Sequence, residues 1–296
     1  MMRIVINHGT LITGDADNRV LEGGGLAVED GVITAVSATA LDTDGADEVI
    51  DATGTLVSPG FVNAHTHLCM IFGRTLGADS DLLTWLSAAQ VPLMQALEPS
   101  DYRLAMELGA IENLKAGITT VCEVFFSSHY PDGADQIAAQ GLDAAGIRAT
   151  LARCTNDESF FDGFVENRTD IVQRSEELIA QWQKHDRISI GVGPLVPWGS
   201  SEGSFRDAVG LSEDHDARIH LHTAETPEYN DLVRERTGMS NVEMLHDVGS
   251  LGERVMLNHC VHLSEADIRL IAESRSHVVH DPTSNMILAS GGGAGP

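Results

Sequence analysis

Lysine is almost missing from this 296-residue chain: only Lys115 and Lys184 occur, and arginine supplies the other basic side chains. Lysine and arginine together number 18 against 44 aspartates and glutamates, a formal net charge of -26. The acids are spread along the chain, not gathered in one tail. A field of that sign repels nucleic acid and anionic membranes, so neither is an expected partner. An acidic, lysine-poor surface also suits high salt, where dense carboxylates hold water and salt screens their repulsion. A halophilic protein is therefore expected.

Long apolar runs are lacking too: none approaches the roughly 20 residues that cross a bilayer. Residues 1–14 show no basic segment followed by an apolar stretch and a small-residue cleavage site, so a cytoplasmic protein is expected. Cysteine is scarce. Cys69, Cys122, Cys154 and Cys260 lie far apart without a CxxC pair, and read as buried free thiols of a reducing compartment. The 43% hydrophobic content is ample for a large core and excludes intrinsic disorder.

The first fifty-odd residues read as short strands at Arg3–Ile6, Gly25–Glu29, Val32–Val36 and Glu48–Asp51, with a hairpin signal at Asp30-Gly31. Residues 1–55 are therefore expected to form a small β-unit. From Leu56 the rhythm becomes strand, helix, strand, helix. Candidate strands are Leu56–Ala64, Ile118–Phe126, Arg148–Thr155, Ile188–Leu195, Arg218–Thr223, Val255–Val261 and His277–His280, mostly unbroken apolar runs as in strands covered on both faces. Between them, Ile171, Val172, Leu178, Ile179 and Trp182 make one helical stripe, and Leu104, Leu108 and Ile111 another. Repeated βα units predict an α/β fold of (β/α)8 TIM-like barrel type over residues 56–296. No glycine-rich phosphate fingerprint follows the first strand, which disfavours a doubly wound open sheet. Seven barrel strands are legible, and the sequence runs into the glycine-rich stretch Ser290–Pro296. A barrel incomplete at its C-terminus is the expectation.

Histidines collect at the ends of these strands. His65 and His67, two apart, share one side of the first barrel strand and point to the barrel mouth, where two imidazoles can bind one divalent metal. His220 and His222 end the fifth strand, and Glu225 follows three residues later. His222 can complete a three-histidine site. Glu225 would then be placed to move protons beside bound water, while an acid at a helix start is the plainer alternative. His220 lies one pleat deeper and reads as structural. His259 ends the sixth strand, placed to polarise the attacked group, and His280 ends the seventh as a candidate substrate contact. His262 reads as a loop or cap residue. His8, His129, His185, His215 and His246 fall in loops or helices and read as ordinary surface residues. One strand-end histidine proves little, but four such strand ends in one chain point together to a metal site.

At this point the motifs Pro59-Gly-Phe-Val-Asn-Ala-His65-Thr-His67, His220-Leu-His222-Thr-Ala-Glu225, Asn258-His259-Cys-Val-His262-Leu and His280-Asp-Pro-Thr-Ser-Asn285-Met resemble the amidohydrolase superfamily. Within it they are similar to the branch of methylthioadenosine/S-adenosylhomocysteine deaminases, triazine hydrolases, and guanine and cytosine deaminases. The resemblance spans essentially the whole chain and makes residues 1–55 the N-terminal part of a composite β-sandwich. It implies one Zn2+ or Fe2+ per chain held by His65, His67, His222 and an aspartate, with Glu225 as proton shuttle and His259 beside the bound water. That aspartate normally follows the eighth strand in a Gly-Thr-Asp context, which these residues do not contain, and Asp281 is not promoted to the role. Members with a carboxylated bridging lysine are set aside, because Ile188–Leu195 contains none.

The expected reaction is hydrolytic deamination of an amino-substituted nitrogen heterocycle of purine, pyrimidine, pterin or triazine type. A chlorohydrolase acting on a triazine-like ring, a lyase or isomerase on the same barrel, and a truncated, non-catalytic remnant are the alternatives. Two departures bear on substrate. Where the adenosine-type deaminases carry a ribose-gripping Glu after a Pro-apolar pair, Val91-Pro92-Leu93 is followed by Met94. Where they carry a His after Gly-Pro on the fourth strand, Gly193-Pro194 is followed by Leu195. Both changes favour a smaller or less polar ring. Arg153, at the end of the third strand, is a candidate contact for an anionic or carbonyl group. Dimers are common in the family, so a homo-oligomer is among the expectations.

Overall fold

The computed structural model describes residues 2–77, 79–126 and 133–292. His129 and residues 293–296 of the glycine-rich stretch lie outside them. The chain divides into two compact units, Met1–Phe61 and Val62–Pro296.

The first unit holds strands β1 (Arg3–Ile12), β2 (Val20–Glu29), β3 (Val32–Ser37), β4 (Glu48–Asp51) and β5 (Leu56–Val57) in one sheet. The order is β3-β2-β1-β4, with β5 also on β1; β1 runs antiparallel to β2 and parallel to β4 and β5. The predicted hairpin is present. Asp30 and Gly31 both have positive φ, 47° and 82°, as a two-residue turn matching strand twist requires.

The second unit is a nearly closed seven-stranded sheet in the order β12-β11-β10-β9-β8-β7-β6. Its strands are β6 (Phe61–Thr66), β7 (Ile118–Phe126), β8 (Arg148–Thr155), β9 (Ile188–Pro194), β10 (Ile219–Thr223), β11 (Val255–His259) and β12 (His277–Val279). Strands β7 to β12 pair in parallel along the sheet, with helices between them. The helices are α1 (Leu82–Trp85), α2 (Val91–Ala96), α3 (Pro99–Lys115), α4 (Ala134–Ala145), α5 (Arg168–Trp182), α6 (Glu202–His215), α7 (Pro227–Thr237), α8 (Asn241–Asp247), α9 (Glu265–Ser274) and α10 (Pro282–Ile287). This is the barrel the strand–helix rhythm predicts. Residues of both parities are buried in β7 to β10, so the strands read as continuous apolar runs.

Three readings need correction. The apolar run Leu56–Ala64 is not one strand. It breaks at Ser58–Gly60, and Leu56–Val57 joins the first sheet while Phe61–Thr66 opens the second. Proline removes a ladder donor there, and the glycine after it loosens the backbone. Helix α3 forms, but the stripe Leu104, Leu108 and Ile111 lies on its exposed side. The buried face is Tyr102, Ala105, Met106, Gly109 and Ala110. Small residues win there because neighbours approach closely. A Cβ on Gly109 would meet Leu68 at 2.7 Å, and one on Gly141 of α4 would meet the Arg103 carbonyl at 2.8 Å. His8 lies within β1, exposed and at positive φ, not in a loop or helix. The stripe of α5 does face inward, through Ile171, Leu178, Ile179 and Trp182. All four cysteines are free and buried.

Candidate active site

The histidines at the ends of β6, β10 and β11 converge. Ring centroids of His65 lie 4.8 Å from His67, 5.0 Å from His222 and 5.0 Å from His259. One ring nitrogen from each of His65, His67 and His222 falls within 4.8 Å of the others. His65 and His67 point the same way because they are two apart along an extended chain. Backbone carbonyls fix two of the rings. His67 Nδ1 lies 2.7 Å from the Val124 oxygen, and His222 Nδ1 lies 3.1 Å from the Leu195 oxygen. A carbonyl only accepts, so both Nδ1 atoms carry the proton and both Nε2 atoms present lone pairs. Those two Nε2 atoms lie 3.1 Å apart.

Facing lone pairs repel unless a cation accepts them. Burial pushes the pKa of His67 down to about 4 and that of His222 well below the usual range, so protons do not relieve the repulsion at neutral pH. His65 is also pushed far down, first by burial and then by its histidine neighbours, and its Nδ1 is buried without a hydrogen-bond partner. Three neutral imidazoles with convergent lone pairs are the donor set of a divalent transition metal. The residues present fit such an ion.

The turns behind β10 and β11 bring in the acids. Ala224 has φ 48°, which swings Glu225 over the cluster, and the Ala224 carbonyl accepts the N–H groups of Val261 and His262. His259 and Cys260 also have positive φ, 73° and 50°. Such conformations in non-glycine residues cost on the order of 1–3 kcal/mol each and persist only where the surroundings impose them. His259 Nε2 lies 3.6 Å from Glu225 Oε2, while its Nδ1 donates to Asn285 Oδ1 at 2.9 Å. Burial, then the charge of Asp281, push Glu225 up to about 8, so it holds its proton at neutral pH. Burial drives His259 down to about 4, which leaves it neutral.

A cavity of about 260 Å3 opens above these groups. Its apolar wall includes Met70, Leu82, Trp85, Leu86, Phe160 and Leu195. Asp81 caps α1 through the Thr84 N–H, and the indole of Trp85 donates to the Leu76 carbonyl, which holds that wall in place.

Of the substrate candidates, neither reaches the cavity. Arg153 has the wrong parity: its neighbour Cys154 contacts the His220 carbonyl, whereas Arg153 is buried against Asp135 at 2.8 Å and Glu166 at 2.7 Å. Its side chain is 1% exposed and it does not line the cavity. His280 is exposed, and β12 ends one residue before it; the next residue, Asp281, lines the cavity instead. His220 is buried beside Cys122 Sγ, one pleat below His222. His262 Nε2 donates to the Ser290 backbone carbonyl at 2.6 Å. His185, His215 and His246 lie at or near the surface.

Sequence reasoning missed three residues. Glu123 on β7 is fully buried, and its carboxylate accepts the N–H of Leu68 at 2.6 Å, directly after His67. A lone acid inside the apolar run Ile118–Phe126 is the signal that could have found it. Asn285 orients His259, and Asp281 Oδ2 lies 3.5 Å from His259 Nδ1. Met94, where a ribose contact was looked for, is wholly buried in the core.

Residues 56–292 match the family model described as "Amidohydrolase family". The chain is 36% identical over 245 residues to a 5'-deoxyadenosine deaminase of Methanothrix thermoacetophila, covering 83% of this chain and 55% of that protein. It is 33% identical over 294 residues to a 5-methylthioadenosine/S-adenosylhomocysteine deaminase of Syntrophomonas wolfei, covering 98% of this chain and 65% of that one. The chain thus spans less than two thirds of the length of these curated relatives. Among solved structures, an adenosine deaminase from Xanthomonas campestris with bound zinc superposes with a TM-score of 0.87 at 28% identity, over 98% of this chain and 65% of that chain. A zinc complex of atrazine chlorohydrolase from Arthrobacter aurescens gives 0.90 at 25% identity, over 98% and 68%. By the family match across most of its length, and by the curated relatives it resembles, this chain belongs to the amidohydrolase family.

Proposed function

We propose that this chain carries the active site of a metal-dependent hydrolase that deaminates an amino-substituted nitrogen heterocycle. The observation that carries the reading is one cavity lined by three convergent imidazoles, with Glu225 beside His259. His65, His67 and His222 would hold one Zn2+ or Fe2+ ion. When bound, such an ion supplies water of lowered pKa as nucleophile at neutral pH.

The chain's own residues do the rest. The Val124 and Leu195 carbonyls keep two rings in the metal-binding tautomer. The apolar wall excludes bulk water and packs the faces of a flat ring. Glu225 delivers its proton to a ring nitrogen as oxygen adds to the amino-bearing carbon. His259, neutral with its Nδ1 proton held by Asn285, presents the Nε2 lone pair and takes a proton from the attacking water. That proton then passes to the amino group, the carbon–nitrogen bond breaks and ammonia leaves, while Glu225 recovers a proton from the adduct's hydroxyl. Purine, pyrimidine, pterin and triazine rings all present this grouping, and deaminases that act on adenosine-type nucleosides are among the relatives.

A second reading has two observations in its favour. The apolar wall and the likeness to a zinc-complexed atrazine chlorohydrolase fit loss of chloride from the same adduct. Ammonia and chloride release from a panel of amino- and chloro-substituted heterocycles, on zinc-loaded protein, separates the two. Ammonia release that disappears in Glu225→Gln is expected. Release of neither product by a chain that binds zinc stoichiometrically would sink the catalytic reading. The charge of -26 supports the further proposal of a salt-adapted surface.

A further inference from the structure

Asp281 stands where a helix would use it and is not used by it. It occupies the position before α10, where an aspartate normally accepts a backbone N–H, yet its side chain makes no capping bond. The carboxylate turns instead into the cavity. There its Oδ2 is buried with no hydrogen-bond partner, 3.5 Å from His259 Nδ1, a nitrogen whose proton already goes to Asn285. The side chain as a whole is 15% exposed and lines the cavity, so a ligand's donor can meet the carboxylate there.

The rest of the cavity narrows the choice. Among the described residues no lysine or arginine lines it, and Arg153 is spent on Asp135 and Glu166. Glu225 and Asp281 flank opposite nitrogens of the His259 ring. A phosphorylated or carboxylated substrate would meet two acids and no lysine or arginine there. The volume of about 260 Å3 lies at the small end of ligand pockets, enough for a single or fused ring with a compact apolar substituent.

We propose that Asp281 is a specificity-determining residue that accepts a hydrogen bond from an N–H of the bound ring, selecting neutral or cationic heterocycles with an amino or alkylamino edge over those with an ether or ester edge. This rests on the reading of the cavity as a heterocycle site. It assigns Asp281 to the substrate and leaves Glu225 and the three histidines in the roles given above.

The test uses two nearly isosteric probes, 4-(ethylamino)pyrimidine and 4-ethoxypyrimidine, which differ only in offering N–H or oxygen at one position. Their dissociation constants are measured by calorimetry on the zinc-loaded chain carrying Glu225→Gln, which stops turnover. The amine should bind about tenfold or more tightly than the ether, as loss of one hydrogen bond to a charged acceptor predicts. Adding Asp281→Ala should erase the difference, and adding Asp281→Asn, whose amide can also donate, should erase or reverse it. Equal affinities before the Asp281 change, or a preference that survives both changes, would overturn the inference while leaving the heterocycle site standing. Loss of zinc from the Asp281 variants would assign the residue to the metal and equally overturn it. Binding of neither probe by a chain that holds zinc would overturn the heterocycle reading, and this inference with it.

Discussion

The carboxylate of Glu123 accepts the backbone N–H of Leu68 at 2.6 Å, so strand β7 grips the chain one residue beyond His67. The next residue on the same strand, Val124, receives the Nδ1 proton of His67. Two consecutive residues of β7 therefore set the backbone and the ring of one metal-binding candidate. Burial pushes Glu123 up to about 8, against an ordinary value of 4.5. A carboxyl whose folded pKa is raised contributes stability below about 4.5, and that contribution is lost as pH rises through about 8. Glu123→Gln mimics the protonated form. Its stability, measured by denaturant unfolding, should fall less than the parent's between pH 5 and 9. A parallel fall in both proteins would show that Glu123 does not titrate in that window.

Glu225 should behave as a proton donor. Its carboxyl, raised to about 8 by burial and by Asp281, keeps the proton at neutral pH. The rate of ammonia release should therefore decline above about pH 8. Glu225→Gln keeps the shape but cannot release a proton, and should lower kcat by about 10²–10⁴-fold. Bound zinc, read by metal analysis, should stay the same. A variant with full turnover would remove Glu225 from the mechanism.

Metal should be part of the fold's stability as well as its chemistry. An ion held by the folded histidine cluster would lose that site when the chain unfolds and the residues scatter. At a free concentration about 100 times Kd that linkage is worth about 2.7 kcal/mol. Chelation should lower Tm, and readdition of zinc should restore it. His222→Ala should lose both the restoration and the stoichiometric zinc. His246→Ala, an exposed histidine outside the cluster, should lose neither.

Most of the barrel was legible because its strands are buried on both faces and so appear as unbroken apolar runs. The metal-binding candidates were legible because strand parity is fixed, and an HxH pair must share a side. Parity also explains what failed. Arg153 sits one residue from Cys154, and that single step turns it from the barrel interior to the buried ion pairs behind β8. His280 and Asp281 differ by one residue past the end of β12, where the chain is no longer a strand and alternation gives no guidance. Met94 and Leu195 were read together, yet one is sealed in the core and the other lines the cavity. Positive φ at Ala224 and His259 left no trace in residue type, since neither is a glycine.

Salt should stabilise this chain. With a net charge of -26, like-charge repulsion opposes the compact state, and the screening length shrinks from ~10 Å at 0.1 M to ~3 Å at 1 M. Tm should rise between 0.1 and 2 M KCl. A flat or falling Tm would count against salt adaptation.

Arg153 separates structure from chemistry. Its guanidinium meets Asp135 and Glu166, whose side chains are 13% and 6% exposed. Replacing Arg153 by alanine leaves both carboxylates short of their partner, although Arg174 still reaches Glu166 at 3.1 Å. Breaking a buried pair from one side typically costs about 3–5 kcal/mol. Arg153→Ala should therefore lower the unfolding midpoint sharply. At a temperature where the variant remains folded, KM for a heterocyclic substrate should be unchanged, because the side chain does not line the cavity. A raised KM with an unchanged midpoint would return Arg153 to the substrate and overturn the assignment made from its ion pairs.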